Sequence, residues 1–525
     1  KGISLITLPI VAAYLPAAEY GDYDVAVSFI EFIHLILNFA IGVTLIRFAS
    51  TARDEADSRQ VAAELTGTTL TLALAVGIPL VIFAPQITDQ LGIRVDPTAL
   101  RVILAGIVLA AMIELPLFWL RLKDRALSYF TIVMLRTLAQ AGFMWLALAL
   151  GHGAAGILIV NGTITIIAAL ILMFLQYRDT GISFSGTALQ RIVFYGLPVV
   201  GADLAMYGLG NCNRLFMPGH VESEAIAHFA LAARIALIIS LATAPFDLWW
   251  GPKRIATLSQ AGGLELGARM WGVGTALVIV AGTGVALGGP FLLHLLFPPS
   301  YGGAYAYLYP LVILQSVHII TNLTNVGNYA RSNGSYVFAV EAISATVAVA
   351  GYATLVGPYG TGGVLASMAA GQTVRFALHF WLGNELAPLP YPWLPALVSI
   401  AGAVLIVVLT PSAEDLAWRF AYAIPATAGL IALIFASGLV RVPPDFMASL
   451  RRRLLNCRPP PFHETQRGQA LLGSGGALGL SAIGYLTGPG PILVLTALAF
   501  CSQSILILSF VCLSDFRIHE AYPFL

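Results

Sequence analysis

Runs of about 20 apolar residues recur along the whole chain, and they constrain its fold more than any other feature. About sixteen such runs occur, among them 24–48 (the second) and 190–216 (the seventh), each about long enough to cross the roughly 30 Å hydrocarbon layer of a bilayer as a helix. No soluble domain separates them. Of the 525 residues, 58% are hydrophobic and only 10% are charged, a composition that ordinary soluble globular proteins do not have. The sequence therefore predicts an all-α, polytopic helical membrane protein.

Lysine and arginine are concentrated in alternate loops. Of the 27 basic residues, about 19 fall on one side of the predicted membrane and about 4 on the other. By the positive-inside rule the basic loops face the cytoplasm; they are residues 47–60, 121–125, 176–191, 251–258 and 441–458. The opposite loops are short and carry almost no basic residue. A multi-pass protein of the cytoplasmic membrane is expected. Its expected partners include membrane lipids and exclude nucleic acid.

An internal repeat predicts how the helices are grouped. A Gly-x-x-Gly pattern at Gly153 and Gly156 recurs 207 residues later at Gly360 and Gly363, although small residues also recur at many membrane helix turns. Duplicated bundles of six helices would be parallel, because each has an even number of crossings. The predicted parts are an N-terminal lobe (1–183), a C-terminal lobe (184–388), an appended helix pair (389–440), a basic cytoplasmic linker (441–467) and a last helix pair of unknown role (468–525). Because the chain does not begin with Met and its first apolar run is short, we expect it to be part of a longer sequence.

Ionisable residues inside the apolar runs are the candidates for function. A charge at mid-bilayer costs at least about 2.5 to 3.5 kcal/mol, so such a residue faces protein or water. The basic and acidic candidates are Arg136, Arg214, Arg234, Arg375, His34, His318, His379, Glu31, Glu114, Asp203 and Glu341. Several guanidinium groups around one cavity favour an anion, and phosphate fits their planar fork best. The alternative is that Arg234 only pairs with Asp203 or Glu31 to hold helices together.

Amides in the tenth apolar run suit either a sugar ligand or helix packing. Asn322, Asn325 and Asn328 follow one another at spacings of three, which places them near one helix face. Both interpretations stay open, because amides also form hydrogen bonds between membrane helices. The cysteines, Cys212, Cys457, Cys501 and Cys512, show no spacing typical of a metal site or a disulfide framework. Neither catalytic residues, nor a metal, nor a cofactor is predicted.

Several segments carry a resemblance to a known family. They are YLPAAEYGDYDVAVSF (14–29), IGVTLIRFAS (41–50), FYGLPVVGADLAMYGLGNCNRLFM (194–217), HFALAARIALIISLATAPFDLWWGPKR (228–254) and the stretch 328–371. Together they resemble the polysaccharide lipid flippases, the Wzx-like branch of the multidrug/oligosaccharidyl-lipid/polysaccharide exporter superfamily, over roughly residues 1–440. Tyr20-Gly21 and Arg234 fall on recurrent family positions. Asn213-Arg214 stands where the family usually has an Asp-Arg pair.

The resemblance implies a transport function and roles for individual residues. Two six-helix lobes would enclose a cationic cavity and pass a polyprenyl-diphosphate-linked oligosaccharide, a precursor of a polysaccharide such as lipopolysaccharide, from the inner to the outer leaflet of a bacterial inner membrane by alternating access. The diphosphate would bind Arg234, with Arg47, Arg136, Arg214 and Arg375 as further candidates. The sugar would contact Asn322 and Asn325. A coupling proton or sodium ion would use Glu31, Asp203 or Glu341, and a polysaccharide polymerase is a candidate partner.

Two other functions compete with this one. A multidrug antiporter of the same superfamily would export organic cations, for which an acidic and aromatic cavity is expected rather than one rich in arginine. A membrane glycan polymerase or ligase would need catalytic groups on a large outer loop. The outer loops before residue 440 reach only about fifteen residues by the same hydropathy reading, which predicts that this region is not an enzyme.

Overall fold

A computed structural model describes residues 2–92, 94–258, 260–329, 335–410 and 416–441. Within these residues the fold is all-α, without strands, which confirms the predicted fold class. Ten helical stretches of the described chain are long and apolar enough to cross a membrane. The chain is therefore a multi-pass membrane protein.

The helices follow one another with short connections. The first nine are α1 (Gly2–Tyr14), α2 (Ala17–Asn38), α3 (Ile41–Ala49), α4 (Glu55–Ile82), α5 (Ala84–Leu91), α6 (Pro97–Val108), α7 (Ala111–Leu122), α8 (Ala126–Ala149) and α9 (Gly153–Thr180). The next nine are α10 (Gly186–Arg191), α11 (Leu197–Gly210), α12 (Ser223–Ala236), α13 (Ile238–Leu258), α14 (Gly263–Leu296), α15 (Tyr305–Thr324), α16 (Ser335–Leu386), α17 (Trp393–Val408) and α18 (Leu416–Ser437). Single turns of π-helix (Ile192–Gly196) and 3-10 helix (Cys212–Phe216, Pro299–Ala304, Asn325–Tyr329) adjoin them.

Acidic side chains in the connecting loops cap the first turns of two helices. The Asp54 carboxylate accepts a hydrogen bond from the Asp57 backbone N–H at 2.8 Å and caps α4. Asp96 caps α6 in the same way, and Pro97 follows it at a position where a helix needs no N–H. These caps set where the apolar helices enter the head-group layer.

The second predicted apolar segment differs from the structure at both ends of α2. We predicted a continuous segment over 24–48, but α2 begins at Ala17 and is separated from α3 by Phe39 and Ala40, which both have positive φ. The break packs against the π-helical turn before α11, where a Cβ on Gly196 would lie 2.6 Å from the Phe39 carbonyl oxygen. Hydropathy could not show this break, because the residues on both sides of it are apolar.

α16 is a helical hairpin. At 52 residues it is about 78 Å of helix, far more than one crossing needs. Gly360 has a non-helical conformation (φ 54°, ψ −131°) and divides the helix into two crossings. Gly153, its counterpart in the predicted repeat, also has a positive φ of 58°. The two positions thus share the backbone feature that a duplication predicts.

The described chain forms two compact units. The first comprises Lys1–Arg234, Phe297–Leu314 and Asn333–His379; the second comprises Ile235–Leu296, Gln315–Ser332 and the described chain from Phe380 onward. In the first unit, buried side chains of α3, α4 and α7 form a core that includes Ile41, Leu65 and Trp119. The lobe boundaries at residues 183 and 388 stay predictions.

In the second unit, the appended helices α17 and α18 pack on α14. A Cβ on Gly272 of α14 would lie 2.6 Å from the Leu439 carbonyl oxygen, so the backbones approach closely there. The Trp271 ring contacts the rings of Tyr391 and Trp393 at centroid distances of 5.1 and 4.9 Å. The predicted linker beyond Arg441 and the last helix pair (468–525) lie outside the described residues.

Candidate functional site

One buried carboxylate in the first unit holds two arginines. The Asp24 side chain is 3% exposed; its Oδ2 accepts a hydrogen bond from Arg214 Nε at 3.1 Å, and its Oδ1 lies 3.5 Å from Arg234 Nη2. Two of the five predicted arginines therefore meet at one acid. We call these three residues the Asp24 cluster.

Three different elements bring the cluster together. Asp24 lies at the start of the third turn of α2, Arg214 in the 3-10 turn after α11, and Arg234 in the last turn of α12. We predicted that the seventh helix continues to residue 216, but α11 ends at Gly210 and Arg214 follows it. Leaving the helix turns this arginine toward α2, so its partner is 190 residues away in sequence.

Asn213 supports Arg214 although it is not acidic. Its Oδ1 accepts a hydrogen bond from Arg214 Nη1 at 3.2 Å, and the guanidinium carbon lies 5.5 Å from the centre of the Phe229 ring. The sequence pattern has Asn where the family usually has Asp. Asp24 supplies the carboxylate instead, so Arg214 is still neutralised.

The two arginines differ in exposure. The side chain of Arg214 is 9% exposed and that of Arg234 is 32% exposed. One carboxylate between two guanidinium groups leaves one positive charge in excess, and the accessible part of that charge is on Arg234. An exposed guanidinium beside a neutralised one is suited to bind an anion reversibly. The ion pair of Arg234 is with Asp24 and not with Asp203 or Glu31, the partners that the sequence suggested, although Glu31 interacts with Arg234 electrostatically.

Glu31 lies seven residues after Asp24, on the same face of α2. It is exposed, accepts a hydrogen bond from Asn211 Nδ2 at 3.2 Å, and interacts electrostatically with Arg234, Arg214 and Asp24. Its ionisation state therefore changes the net charge beside Arg234.

The closeness of α2 and α12 depends on small and polar residues at their first turns. A Cβ on Gly21 would lie 1.8 Å from the Ser223 carbonyl oxygen, so only glycine fits between the two backbones. The Ser223 hydroxyl donates a hydrogen bond to the buried Asp22 carboxylate at 2.7 Å. This contact places Arg234, three turns along α12, within reach of Asp24.

A second cluster links the two halves of the α16 hairpin. The Glu341 carboxylate accepts hydrogen bonds from Arg375 Nε and Nη2 at 2.8 and 2.7 Å, and His379 Nε2 lies 3.1 Å from its Oε1. All three side chains are buried. A bidentate ion pair that is fully buried fixes the hairpin and leaves little of either charge for a ligand.

The other predicted residues of the first unit stand apart from the Asp24 cluster. Arg47 is exposed in the last turn of α3, next to a basic loop. Arg136 is half-buried on α8, and its Nε has no hydrogen-bond partner among the described residues. Asp203 is exposed on α11 and forms no ion pair in the described part of the chain.

The predicted amides belong to the second unit. We predicted that they lie in one helix, but α15 ends at Thr324 and Asn325 begins a 3-10 turn. The Asn322 carbonyl oxygen accepts a hydrogen bond from Arg254 Nη1 at 3.0 Å. Asn325 is 6% exposed, and its Oδ1 has no hydrogen-bond partner in the described residues.

Sequence reasoning missed Asp24, the centre of the site. The sequence predicts that the second apolar run begins at this residue, which is also the last residue of the predicted outer loop 16–24. The signal that could have identified it is the spacing of Asp24 and Glu31, one heptad apart on a helix that already starts at Ala17. In the described residues, no group of three or more His, Cys, Asp or Glu side chains is arranged to hold a metal ion.

Comparisons with known proteins agree with the resemblance read from the sequence. Residues 1–246 match the family model described as "Polysaccharide biosynthesis protein", which covers α1 to α12 and the whole Asp24 cluster. None of the curated proteins matches the chain significantly.

Two solved structures share the fold. One is "Lipid II flippase MurJ, inward closed conformation", with a TM-score of 0.62 and 12% identity over 82% of this chain and 96% of that chain. The other is an inward-facing multidrug resistance MATE family transporter of the MOP superfamily, with a TM-score of 0.52 and 18% identity over 72% of this chain and 92% of that chain. The chain therefore shares its fold with this flippase and this transporter, as predicted, and neither of these structures is of an enzyme.

Proposed function

We propose that this protein is a flippase that carries a polyprenyl-diphosphate-linked oligosaccharide from the cytoplasmic to the outer leaflet of a bacterial inner membrane. The polysaccharide biosynthesis family over residues 1–246 and a fold shared with a lipid II flippase and a MATE transporter support a transporter of this kind. The two predicted six-helix lobes would alternate in access around the cargo. The glycan would be the precursor of a surface polysaccharide of the lipopolysaccharide type, with a polysaccharide polymerase as the partner that uses the product.

The Asp24 cluster is the observation that carries this proposal. Arg234 presents an accessible guanidinium whose only ion-pair partner in the described residues is a carboxylate already hydrogen-bonded to Arg214. A diphosphate bound there exchanges its water for charge-assisted hydrogen bonds. No covalent chemistry is needed. Arg47 and Arg136 are the next candidates for phosphate contacts along the path. Arg375 already donates hydrogen bonds from Nε and Nη2 to the two carboxylate oxygens of Glu341.

The same cluster favours an anion over the organic cation of a multidrug antiporter. A cation would have to lie against Arg234 and compete with it for Asp24, which is 3% exposed. An anion needs only the accessible side of the guanidinium. This charge balance is the reason to rank the drug-exporter function second.

Glu31 is our first choice among the three coupling acids. Glu341 is neutralised by Arg375, and Asp203 has no arginine beside it in the described residues. When Glu31 takes up a proton, one negative charge disappears next to Arg234, so the site holds an anion more strongly at lower pH. The amides Asn322 and Asn325 are proposed to contact the sugars.

Native mass spectrometry of the protein, extracted gently from its own membrane, tests the proposal. The wild type is expected to retain a polyprenyl-diphosphate glycan, and Arg234→Gln is expected to lose it. Arg269→Gln, which removes one arginine from α14 outside the cluster, is the matched control and should retain the lipid as the wild type does.

Two outcomes would contradict the proposal in different ways. Equal retention by the wild type and Arg234→Gln would make Arg234 a partner of Asp24 for folding only. Absence of any such lipid, together with binding of organic cations that Arg234→Gln strengthens, would favour the drug exporter.

A further inference from the structure

A cavity of about 390 Å³ lies in the first unit, away from the Asp24 cluster. It lies at the end of α7, the start of α8 and the end of α9. These helix ends adjoin the basic loops 121–125 and 176–191, which the charge pattern assigns to the cytoplasm. The cavity is therefore expected at the level of the inner-leaflet head groups.

The polar end of the cavity carries a net positive charge. Arg125 and Arg178 line it together with one acid, Asp179. The Asp179 carboxylate is already occupied: its Oδ2 accepts a hydrogen bond from the buried Trp119 Nε1 at 2.8 Å and lies 3.4 Å from Arg125 Nη1. Arg178 is exposed, packs on the Phe174 ring at 5.5 Å, and forms no ion pair within the described chain.

The other end of the cavity is apolar. Leu120, Ile132, Leu172 and Leu175 line it. Leu175 is 46% exposed, and Leu127 and Phe130 on the neighbouring turn of α8 are exposed to a greater extent. Exposed apolar side chains of a membrane helix face acyl chains, so we expect this end of the cavity to lie beside the acyl chains of the bilayer.

We propose that this cavity is a binding site for an anionic phospholipid of the inner leaflet. Arg125 and Arg178 hold the phosphate, and Ser128, which lines the same cavity, contacts the rest of the head group. One acyl chain lies along Ile132 and Leu172. The volume is within the range of small-molecule sites, about 300 to 1,000 Å³. A free anion would use the arginines alone, whereas the adjoining apolar surface fits only a ligand with a hydrocarbon chain.

This site is separate from the proposed cargo path and does not depend on it. Its residues come from α7 to α9 alone, and none of them contacts Asp24, Arg214 or Arg234. A bound phospholipid would fasten α8, half of whose 24 residues are exposed, to α7 and α9. The proposed function and this inference can therefore fail independently.

The test is a titration of the purified full chain with phosphatidylglycerol and with phosphatidylcholine, followed by native mass spectrometry. The wild type is expected to bind one phosphatidylglycerol more tightly than any phosphatidylcholine. Arg125→Gln and Arg178→Gln are expected to weaken that binding about fivefold each. Ile132→Trp, which fills the apolar end and keeps both arginines, should also remove it. Arg53→Gln takes the same charge from an exposed position in the loop before α4 and should bind as the wild type does.

Three results would overturn the inference. One is equal binding of the two lipids by the wild type. Another is unchanged binding by both arginine variants, which are exposed substitutions that do not threaten folding. The third is loss of binding in the arginine variants but not in Ile132→Trp, with inorganic phosphate displacing the lipid, which would define a site for a free anion.

Discussion

The unequal exposure of the two arginines on Asp24 predicts that they serve different purposes. We consider three single substitutions of similar size: Asp24→Asn, Arg214→Gln and Arg234→Gln. The expected order of destabilisation is Asp24→Asn, then Arg214→Gln, then Arg234→Gln. The expected order for loss of the bound polyprenyl-diphosphate glycan is different, because Arg234→Gln abolishes binding of this lipid while the fold persists.

The magnitudes follow from distance and burial. At an effective dielectric constant of about 20, each arginine attracts Asp24 by about 5 kcal/mol before the cost of removing the charges from water is counted. Removing one member of a buried pair costs about 3 to 5 kcal/mol, which applies to Arg214, hydrogen-bonded at 3.1 Å and 9% exposed. Arg234 is 3.5 Å from Asp24 and 32% exposed, so water compensates for much of its loss and about 1 kcal/mol is expected. Asp24→Asn leaves two guanidinium groups without their acid and costs most.

The assay is the temperature at which detergent-solubilised protein loses its monodisperse peak in size-exclusion chromatography. Each variant is compared with the wild type, and the double variant Asp24→Asn/Arg214→Gln completes a cycle. Because the two residues contact each other, the double variant should be more stable than the sum of the single effects indicates, by about 0.5 to 3 kcal/mol. Equal destabilisation by Arg214→Gln and Arg234→Gln would refute the division of roles. So would additive effects in the cycle.

Three further predictions concern other positions. Glu341→Gln leaves Arg375 buried without its carboxylate, so a loss of about 3 to 5 kcal/mol in stability is expected in the same assay. A transition temperature equal to that of the wild type would contradict the stabilising role of this ion pair. Gly21→Ala forces a methyl group against the Ser223 carbonyl and should lower stability and glycolipid retention together, whereas Gly142→Ala, with open space around it, should change neither. Burial raises the pKa of the Cys212 thiol to about 11, so maleimide labelling of a variant that keeps only this cysteine should still rise about tenfold per pH unit between pH 8 and 10; a plateau near pH 9 would show an unburied thiol.

The fold class and the approximate positions of most helices were predictable, because each residue's hydropathy and each loop's charge can be taken directly from the sequence. The position of the α16 turn was also predictable, since Gly360 matches Gly153 in the predicted repeat and glycine readily adopts a positive φ. The break at Phe39 and Ala40 was not, because no glycine or proline marks it and tertiary packing against Gly196 holds it. The end of α11 at Gly210 was missed for a different reason: glycine is frequent within membrane helices and does not by itself mark an end.

The site was predicted only in part, since its pairings are long-range. Intramembrane arginines were identified from the cost of burying a charge, and Arg214 and Arg234 do lie together. Their shared partner required knowing that α2 starts seven residues before Asp24 and that α11 ends before Arg214. Likewise, the pairing of Glu341 with Arg375, 34 residues apart, follows from the hairpin and not from any local pattern.

The presence of Asp24 is consistent with a site that must release what it binds. Two arginines without an acid would hold a diphosphate with two charges in excess and retain it strongly. A pore or carrier needs binding that is favourable enough to capture its cargo and weak enough to let it leave. Asp24 neutralises the buried arginine and leaves a single accessible charge on Arg234. The exposed Glu31 beside it then provides a charge that one proton can remove, so affinity for an anion can change without any rearrangement of the buried pair.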